Sequence, residues 1–285
     1  MLEETQHFKG KLAYTGLPDQ VAAIRYLQMT NHPTVKNISF ITGPYVGINM
    51  QLSAIRSFLK SNGIKSLDDI TKLDYRAGEW PGYLQIETQS GKTLKAEKFY
   101  YNYLLPFFVT NHSLLSVDFS NELTDISVGD AWHPKYEKEG KGFSVVVARN
   151  DKGREVLRQM QNQSLLHLEE ISVEEALNMH GHMFDFKKRG SFIRGKWRKL
   201  SGKKSPDYGY VPEKITFSRY LVEMVISGIF LVCRTKLARF VVQLIPIKIL
   251  GVVFNNTRKS WKQLSKPTKR KGLLNASFRI THYGR

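Results

Sequence analysis

The sequence predicts an α/β fold, with α+β as the alternative arrangement. The expected architecture is a mixed sheet with crossover helices, followed by a basic, amphipathic helical C-terminal tail. Three observations carry this reading. Two strand–turn–helix units follow one another near the N-terminus, a continuous apolar run further on suits a buried strand, and charge separates sharply along the chain. Residues 1–186 hold 19 Lys/Arg against 22 Asp/Glu, net −3, whereas residues 187–285 hold 24 against 3, net +21. A near-neutral body, 1–186, is thus expected to carry a cationic tail, 187–285.

In the first unit, Lys11 to Thr15 reads as a short strand. Gly16-Leu17-Pro18-Asp19 then turns the chain into a helix, with Asp19 as N-cap and Val21, Ile24 and Leu27 on one face. Asn37 to Ile41 repeats the pattern and enters a Gly43-Pro44 turn. The helix that follows, from about Ile48 to Leu59, would bury Leu52, Ile55 and Leu59 and stop at Asn62-Gly63. Two such units predict partly parallel strands, and loops after parallel strands collect ligands because backbone amides and helix N-termini point there. Asp19 and Thr42 fall on those loops.

Ser66 to Asp69 fits a helical capping pattern, and Tyr83 to Thr88 alternates before Ser90-Gly91, as in a hairpin. Glu97 to Phe108, with Phe99, Tyr100, Tyr103 and Phe107, reads as a core helix. Phe143 to Ala148 reads as a buried strand, Asp151 caps a helix to about Met160, and Leu165 to Leu168 is a further short strand. Ser172-Val-Glu-Glu175 opens a helix as a capping box.

The tail begins with Lys187-Lys188-Arg189 and continues into two apolar segments, Tyr220 to Cys233 and Phe240 to Phe254. Both are shorter than the roughly 20 residues needed to cross a bilayer. Glu223 and Lys248 interrupt them and Pro246 breaks the second. An in-plane amphipathic pair on an anionic membrane surface fits this pattern, and packing against the protein's own body is the alternative. Nucleic acid is the least favoured partner, because the tail's apolar residues are mainly aliphatic and offer few stacking surfaces.

The single cysteine, Cys233, excludes an internal disulfide and any Cys-x-x-Cys ligand pair. The start, MLEETQHFKGKL, has neither an apolar h-region nor an Arg-rich amphipathic pattern, which predicts a cytoplasmic protein, peripheral on the cytosolic membrane face if the tail binds there. The pair His180 and His182 points to different helix faces, and Gly140-Lys141-Gly142 lacks the rest of a P-loop. No Ser/His/Asp arrangement stands out, so no catalytic residue is assigned.

The stretch Asn111 to Trp132, NHSLLSVDFSNELTDISVGDAW, does not read as core. It combines a Ser113-x-x-Ser116 pair, Asp118, and Asp125-Ile126-Ser127-Val128-Gly129-Asp130, in which Gly129-Asp130 reads as a turn that lets backbone approach a ligand closely. It resembles the C-terminal domain of the coenzyme F420 hydrogenase/dehydrogenase beta-subunit family, which includes the 7-hydroxymethyl chlorophyll reductases. That family's pattern here is C-x-x-C-x-D followed by D-I-S-x-G-D. Thr15-Gly16-Leu17-Pro18-Asp19-Gln20 resembles its G-x-P-C-Q, Phe40 to Gly43 its strand ending in Cys-Gly, and Tyr75-Arg76 to Trp80-Pro81-Gly82 its Y-R-x-x-x-W-P-G. The match runs from about Gly10 to Ala148.

The resemblance implies FAD, an iron–sulfur cluster and a redox partner protein. Asp19, Thr42, Ser113 and Ser116 stand at the cysteine positions, however, and three hydroxyls with one carboxylate are poor ligands for a cubane cluster. A cluster-free, flavin-dependent oxidoreductase is therefore expected, with a non-catalytic binding or scaffold module at a membrane surface as the alternative. Cofactor-binding candidates are Gly16, Pro18, Arg76, Trp80, Asp118, Asp125, Ser127, Gly129 and Asp130. Arg76 can clamp a phosphate and Trp80 can stack on a ring. A surface turn at Gly129-Asp130, a salt bridge for Arg76 and core burial for Trp80 explain the same residues equally well. The resemblance also implies a further N-terminal region, whereas fifteen residues precede Gly16 here.

Overall fold

The computed structural model describes residues 2–97 and 100–281. Its strands are β1 (Leu12–Thr15), β2 (Ile38–Pro44), β3 (Ile70–Ala77), β4 (Tyr83–Thr88), β5 (Thr93–Glu97), β6 (Ile126–Asp130), β7 (Ser144–Ala148), β8 (Tyr210–Pro212) and β9 (Phe278–Ile280). They form three sheets, ordered β1-β2-β6-β7, β3-β4-β5 and β8-β9. The chain divides into two compact units, Met1–Gly47 with Ser116–His133 and Phe143–Lys187, and Ile48–Leu115 with Pro134–Gly142 and Lys188–Arg285.

The first unit holds the mixed sheet that the sequence predicts. β1, β2 and β6 run parallel, with Thr15 opposite Thr42 and Thr42 opposite Ile126, and β7 returns antiparallel with Val145 opposite Gly129. The crossover helix Pro18–Met29 buries Val21 and Ile24 against Val35, Ile38 and Ile41. Its cap differs from the expected Asp19. Leu17 is the N-cap, Pro18 takes the first helical position, and the Leu17 N–H donates to Gln20 Oε1 at 2.9 Å. Proline wins that position because its fixed φ suits the first turn, where its missing N–H costs nothing.

Helix Asp151–Asn162 is capped by Asn150 rather than by the expected Asp151, which is its first helical residue; Asn150 Oδ1 accepts from the Gly153 N–H at 2.9 Å. Ser172 caps helix Val173–Asp185 by accepting from the Glu175 N–H at 3.1 Å, as its sequence pattern predicts. Leu165 to Leu168 joins none of the three sheets, and Leu165 lies exposed instead.

The second unit packs helix Ser53–Ser61 and the β3-β4-β5 meander around Phe58, Leu59, Leu84, Ile86, Leu104 and Phe108. That helix begins five residues later than expected from Ile48, so Leu52 falls at the N-cap and is 63% exposed. Strand β3 carries no clear alternation, which hides it from sequence reading. The expected helix from Glu97 to Phe108 appears as a 3₁₀ turn, Tyr100–Leu104, and a single α-turn, Leu105–Phe108. Phe99 lies outside the described residues.

The tail is helical, with Ser191–Leu200, Phe217–Cys233, Lys236–Leu244 and Ile247–Arg270 beside the small β8-β9 pair. Val242, Leu250 and Phe254 join the second unit's core.

Candidate functional site

β1, β2 and β6 lie side by side in the first unit, with Gly16 and Pro18 just after β1, Gly129 and Asp130 at the end of β6, and Asp125 and Ser127 at its start. Gly16 leaves β1 with its N–H on Thr42 O at 3.1 Å, and buried Pro18 starts the next helix. The segment after β2 bonds across to two neighbours. Tyr45 N–H reaches Val128 O and Val46 N–H reaches Phe119 O, each at 2.8 Å.

Asn121 ties these ends together, and nothing in its sequence neighbourhood singles it out. It is fully buried in the left-handed region, at φ 57°. Its Nδ2 donates to Gly16 O at 2.8 Å and to Pro44 O at 3.3 Å, while its Oδ1 is buried without a hydrogen-bond partner. Gly43 is required beside it, because a Cβ there would sit 2.1 Å from Asn121 Nδ2 and 2.2 Å from Gly16 O. Such an acceptor, fixed in orientation by two carbonyls on its amide side, costs about 1–3 kcal/mol unless a donor reaches it.

Asp118 shapes the loop that delivers Asn121, its Oδ2 accepting from the Glu122 N–H at 2.9 Å. Asp125 has both carboxylate oxygens taken by the fold. Oδ2 accepts from Ile41 N at 2.6 Å, and Oδ1 from Asn150 Nδ2 at 2.7 Å and Arg25 Nη2 at 3.1 Å. Burial alone would raise its pKa, but the Asn150, Ile41 and Arg25 donors together hold it below the usual carboxylate range. Buried Ser127 accepts from Arg149 Nε at 3.2 Å, and Arg149 Nη2 also reaches Ser120 O at 2.8 Å.

The expected Gly129-Asp130 turn is instead the end of β6, because β7 pairs along its whole length. Close approach at Gly129 is used internally, since a Cβ there would lie 2.3 Å from the Tyr45 ring. Around that contact sits an aromatic cluster. Phe119 has ring centroids 5.2 Å from both Tyr45 and His180 and 5.0 Å from Phe184. His180 Nε2–H donates to Asp130 O at 2.7 Å. Burial pushes the His180 pKa down, more than the Asp130 contacts raise it, so the ring is held neutral. Burial likewise pushes the Tyr45 phenol up despite Arg149 nearby.

Arg76 and Trp80 belong to the second unit. Arg76 is an exposed residue of β3, and Trp80 precedes a cis peptide bond to Pro81 and packs where Gly142 leaves room. The four cysteine-position residues come from different segments of the chain. Asp19 is exposed in a helix's first turn and Thr42 lies inside β2. Ser113, in the second unit, accepts from the Asn49 N–H at 2.8 Å, and Ser116, in the first, donates to Asp118 O at 3.5 Å. Among the described residues no cluster of His, Cys, Asp and Glu is placed to hold a metal ion.

This region suits some parts of a flavin nucleotide and not others. Asn121 Oδ1 is an unmet acceptor, but Asn121, Phe119 and His180 are buried and the rings of Tyr45, Phe119 and His180 pack on one another, so a flavin reaches them only if neighbouring groups move aside. The N-terminus of helix Pro18–Met29 does not suit a phosphate, because Pro18 has no N–H, Gln20 occupies the Leu17 N–H, and Asp19 adds negative charge.

Residues 9–174 match the family model for the C terminus of the coenzyme F420 hydrogenase/dehydrogenase beta subunit. No curated protein sequence matches the chain. Among solved structures, a chain of the F420-reducing [NiFe] hydrogenase complex from Methanosarcina barkeri is similar, at 17% identity and a TM-score of 0.49 over 69% of this chain. This chain covers 65% of that one's length.

Proposed function

The chain belongs to the coenzyme F420 hydrogenase/dehydrogenase beta-subunit family, and from that premise we propose that it is a flavin-dependent oxidoreductase working without an iron–sulfur cluster. FAD, when bound, supplies two-electron hydride chemistry. The observation that carries the proposal is the buried, unmet Asn121 Oδ1 at the strand ends, in the unit that also holds Tyr45 and His180. In this reading Asn121 Oδ1 accepts a hydrogen bond from the cofactor's donor edge. His180, oriented by Asp130 O, packs against Tyr45 and Phe119 and supports them from the interior. Gly16, Gly43 and Pro44 hold Asn121 in its orientation, while Asp118 and Asp125 keep the loop and sheet in place.

The cluster has no counterpart in this proposal, because hydroxyls and one carboxylate are hard, mostly protonated or weakly covalent donors toward iron. A two-electron donor would give a hydride, two electrons and one proton, to FAD held here, and both electrons would pass on to an acceptor, which in this reading is a partner redox protein. The test is a visible spectrum of the protein after incubation with FAD and desalting. Bands near roughly 370 and 450 nm support the proposal. A colourless protein contradicts it and favours a scaffold role.

A further inference from the structure

Helix Phe217–Cys233 is built inside out. Its inward face is Arg219, Glu223, Ile226 and Phe230, all buried, with Arg219 and Glu223 fully so. Glu223 Oε1 accepts from Arg194 Nη1 at 2.6 Å and Oε2 from Arg219 Nη2 at 2.9 Å. Gly190 makes room for this triad, since a Cβ there would sit 2.8 Å from both Arg194 Nη1 and Glu223 Oε2. The opposite face carries Leu221, Met224, Val225, Leu231 and Val232, which are 43% to 76% exposed, and no Asp, Glu, Lys or Arg. A helix facing water arranges these groups the other way round.

The two helices packed beside it continue the pattern. In Lys236–Leu244 the stripe Leu237, Phe240, Val241 and Leu244 is exposed, while Val242 enters the core and Arg239 Nε donates to Phe107 O at 2.8 Å. The start of Ile247–Arg270 exposes Ile249, Val252 and Val253. Exposed apolar side chains repeated on three neighbouring helices mark a binding surface rather than ordinary scatter. Its charge has one sign. From Lys214 to Lys262 the one acid is buried Glu223, while Lys214, Lys236, Lys259 and Lys262 are exposed.

We propose that this face seats in the headgroup–acyl boundary of an anionic bilayer, holding the chain on the membrane without crossing it. The inference stands independently of the flavin reading. Among the described residues no single helix is long and apolar enough to cross a membrane. A bent pair, Lys236–Leu244 with Ile249–Arg270 at 119°, passes for length and composition only when joined. The cations suit anionic headgroups, and the exposed apolar side chains suit the acyl boundary.

The test is flotation of the full chain with phosphatidylcholine vesicles, alone or with about 30% phosphatidylglycerol, at low and high salt. The expected result is flotation with the anionic vesicles, reduced by salt. The double variant Leu231→Glu/Phe240→Glu changes only exposed positions, so its melting profile stays near the parent's while its partitioning falls by about tenfold or more. No flotation with either vesicle, or equal flotation of the double variant, overturns the proposal. So does a dimer by light scattering that the double variant dissolves, since a second copy would then cover the face.

Discussion

Replacing Glu223 with alanine is expected to be among the most damaging single changes in this chain. The carboxylate is fully buried and shared between Arg194 Nη1, 2.6 Å from one oxygen, and Arg219 Nη2, 2.9 Å from the other, with Ser227 Oγ donating at 3.2 Å. Removing it withdraws the charge that offsets two buried guanidiniums while leaving both inside. Breaking a buried ion pair in this way costs about 3–5 kcal/mol. Against a typical stability of about 5–15 kcal/mol, that is a large fraction. Urea unfolding followed by circular dichroism reads it directly. With a slope near about 3 kcal/mol/M, the midpoint should fall by about 1 M or more. Removing the charges together, as in Arg194→Met/Arg219→Met/Glu223→Leu, should recover most of the loss. A Glu223→Ala protein within about 0.5 kcal/mol of the parent, a size normal for surface changes, would refute the inside-out reading of this helix.

Other expectations follow from the first unit. Asp125→Ala strips an acceptor from Ile41 N, Asn150 and Arg25 and should cost at least about 2 kcal/mol by the same unfolding assay. The Asp125 folded pKa lies below its unfolded value, so the unfolded state binds more protons in acid. Its contribution is complete above the unfolded value, about 3.9, and is lost as pH falls through the lower folded value; Asp125→Asn should flatten that acid limb. His180 is likewise depressed, so stability should decline as pH falls below about 6.5, and His180→Asn should remove that slope in urea titrations between pH 5 and 7, roughly the range where histidine titrates. Gly43→Ala drives a Cβ into Asn121 and Gly16, and should weaken both fold and flavin retention, read by melting and by absorbance. Anaerobically purified protein should contain no stoichiometric iron or acid-labile sulfide.

Much of the first unit is legible in sequence because its signals are local. The spacing of Val21 and Ile24 and the Ser172 capping box each depend on neighbours a few residues away, whereas the caps expected at Asp19 and Asp151 fall one or two residues earlier, at Leu17 and Asn150. At Gly129-Asp130 a turn-like dipeptide is overridden by pairing with β7, a contact made across many residues, so its sequence points away from the strand it forms. Asn121 is hidden for the same reason. An asparagine between Ser120 and Glu122 looks like solvent-facing loop, and only the fold brings it to Gly16 and Pro44. Tyr45 and His180 gain their interest from Gly129 and Asp130, again through space. In the tail, the apolar segments are visible in sequence, but which side of each faces outward is not. Periodicity gives a stripe and cannot tell whether the stripe meets protein or lipid.

The most direct measurement is equilibrium titration of the purified chain with FAD, followed by flavin fluorescence and absorbance, alongside Asn121→Ala. Saturable binding near one flavin per chain, with bands that survive desalting and affinity that drops in the Asn121 variant, is the predicted result. No retained flavin, or retention indifferent to Asn121, would contradict the strand-end site as the place where redox chemistry is held.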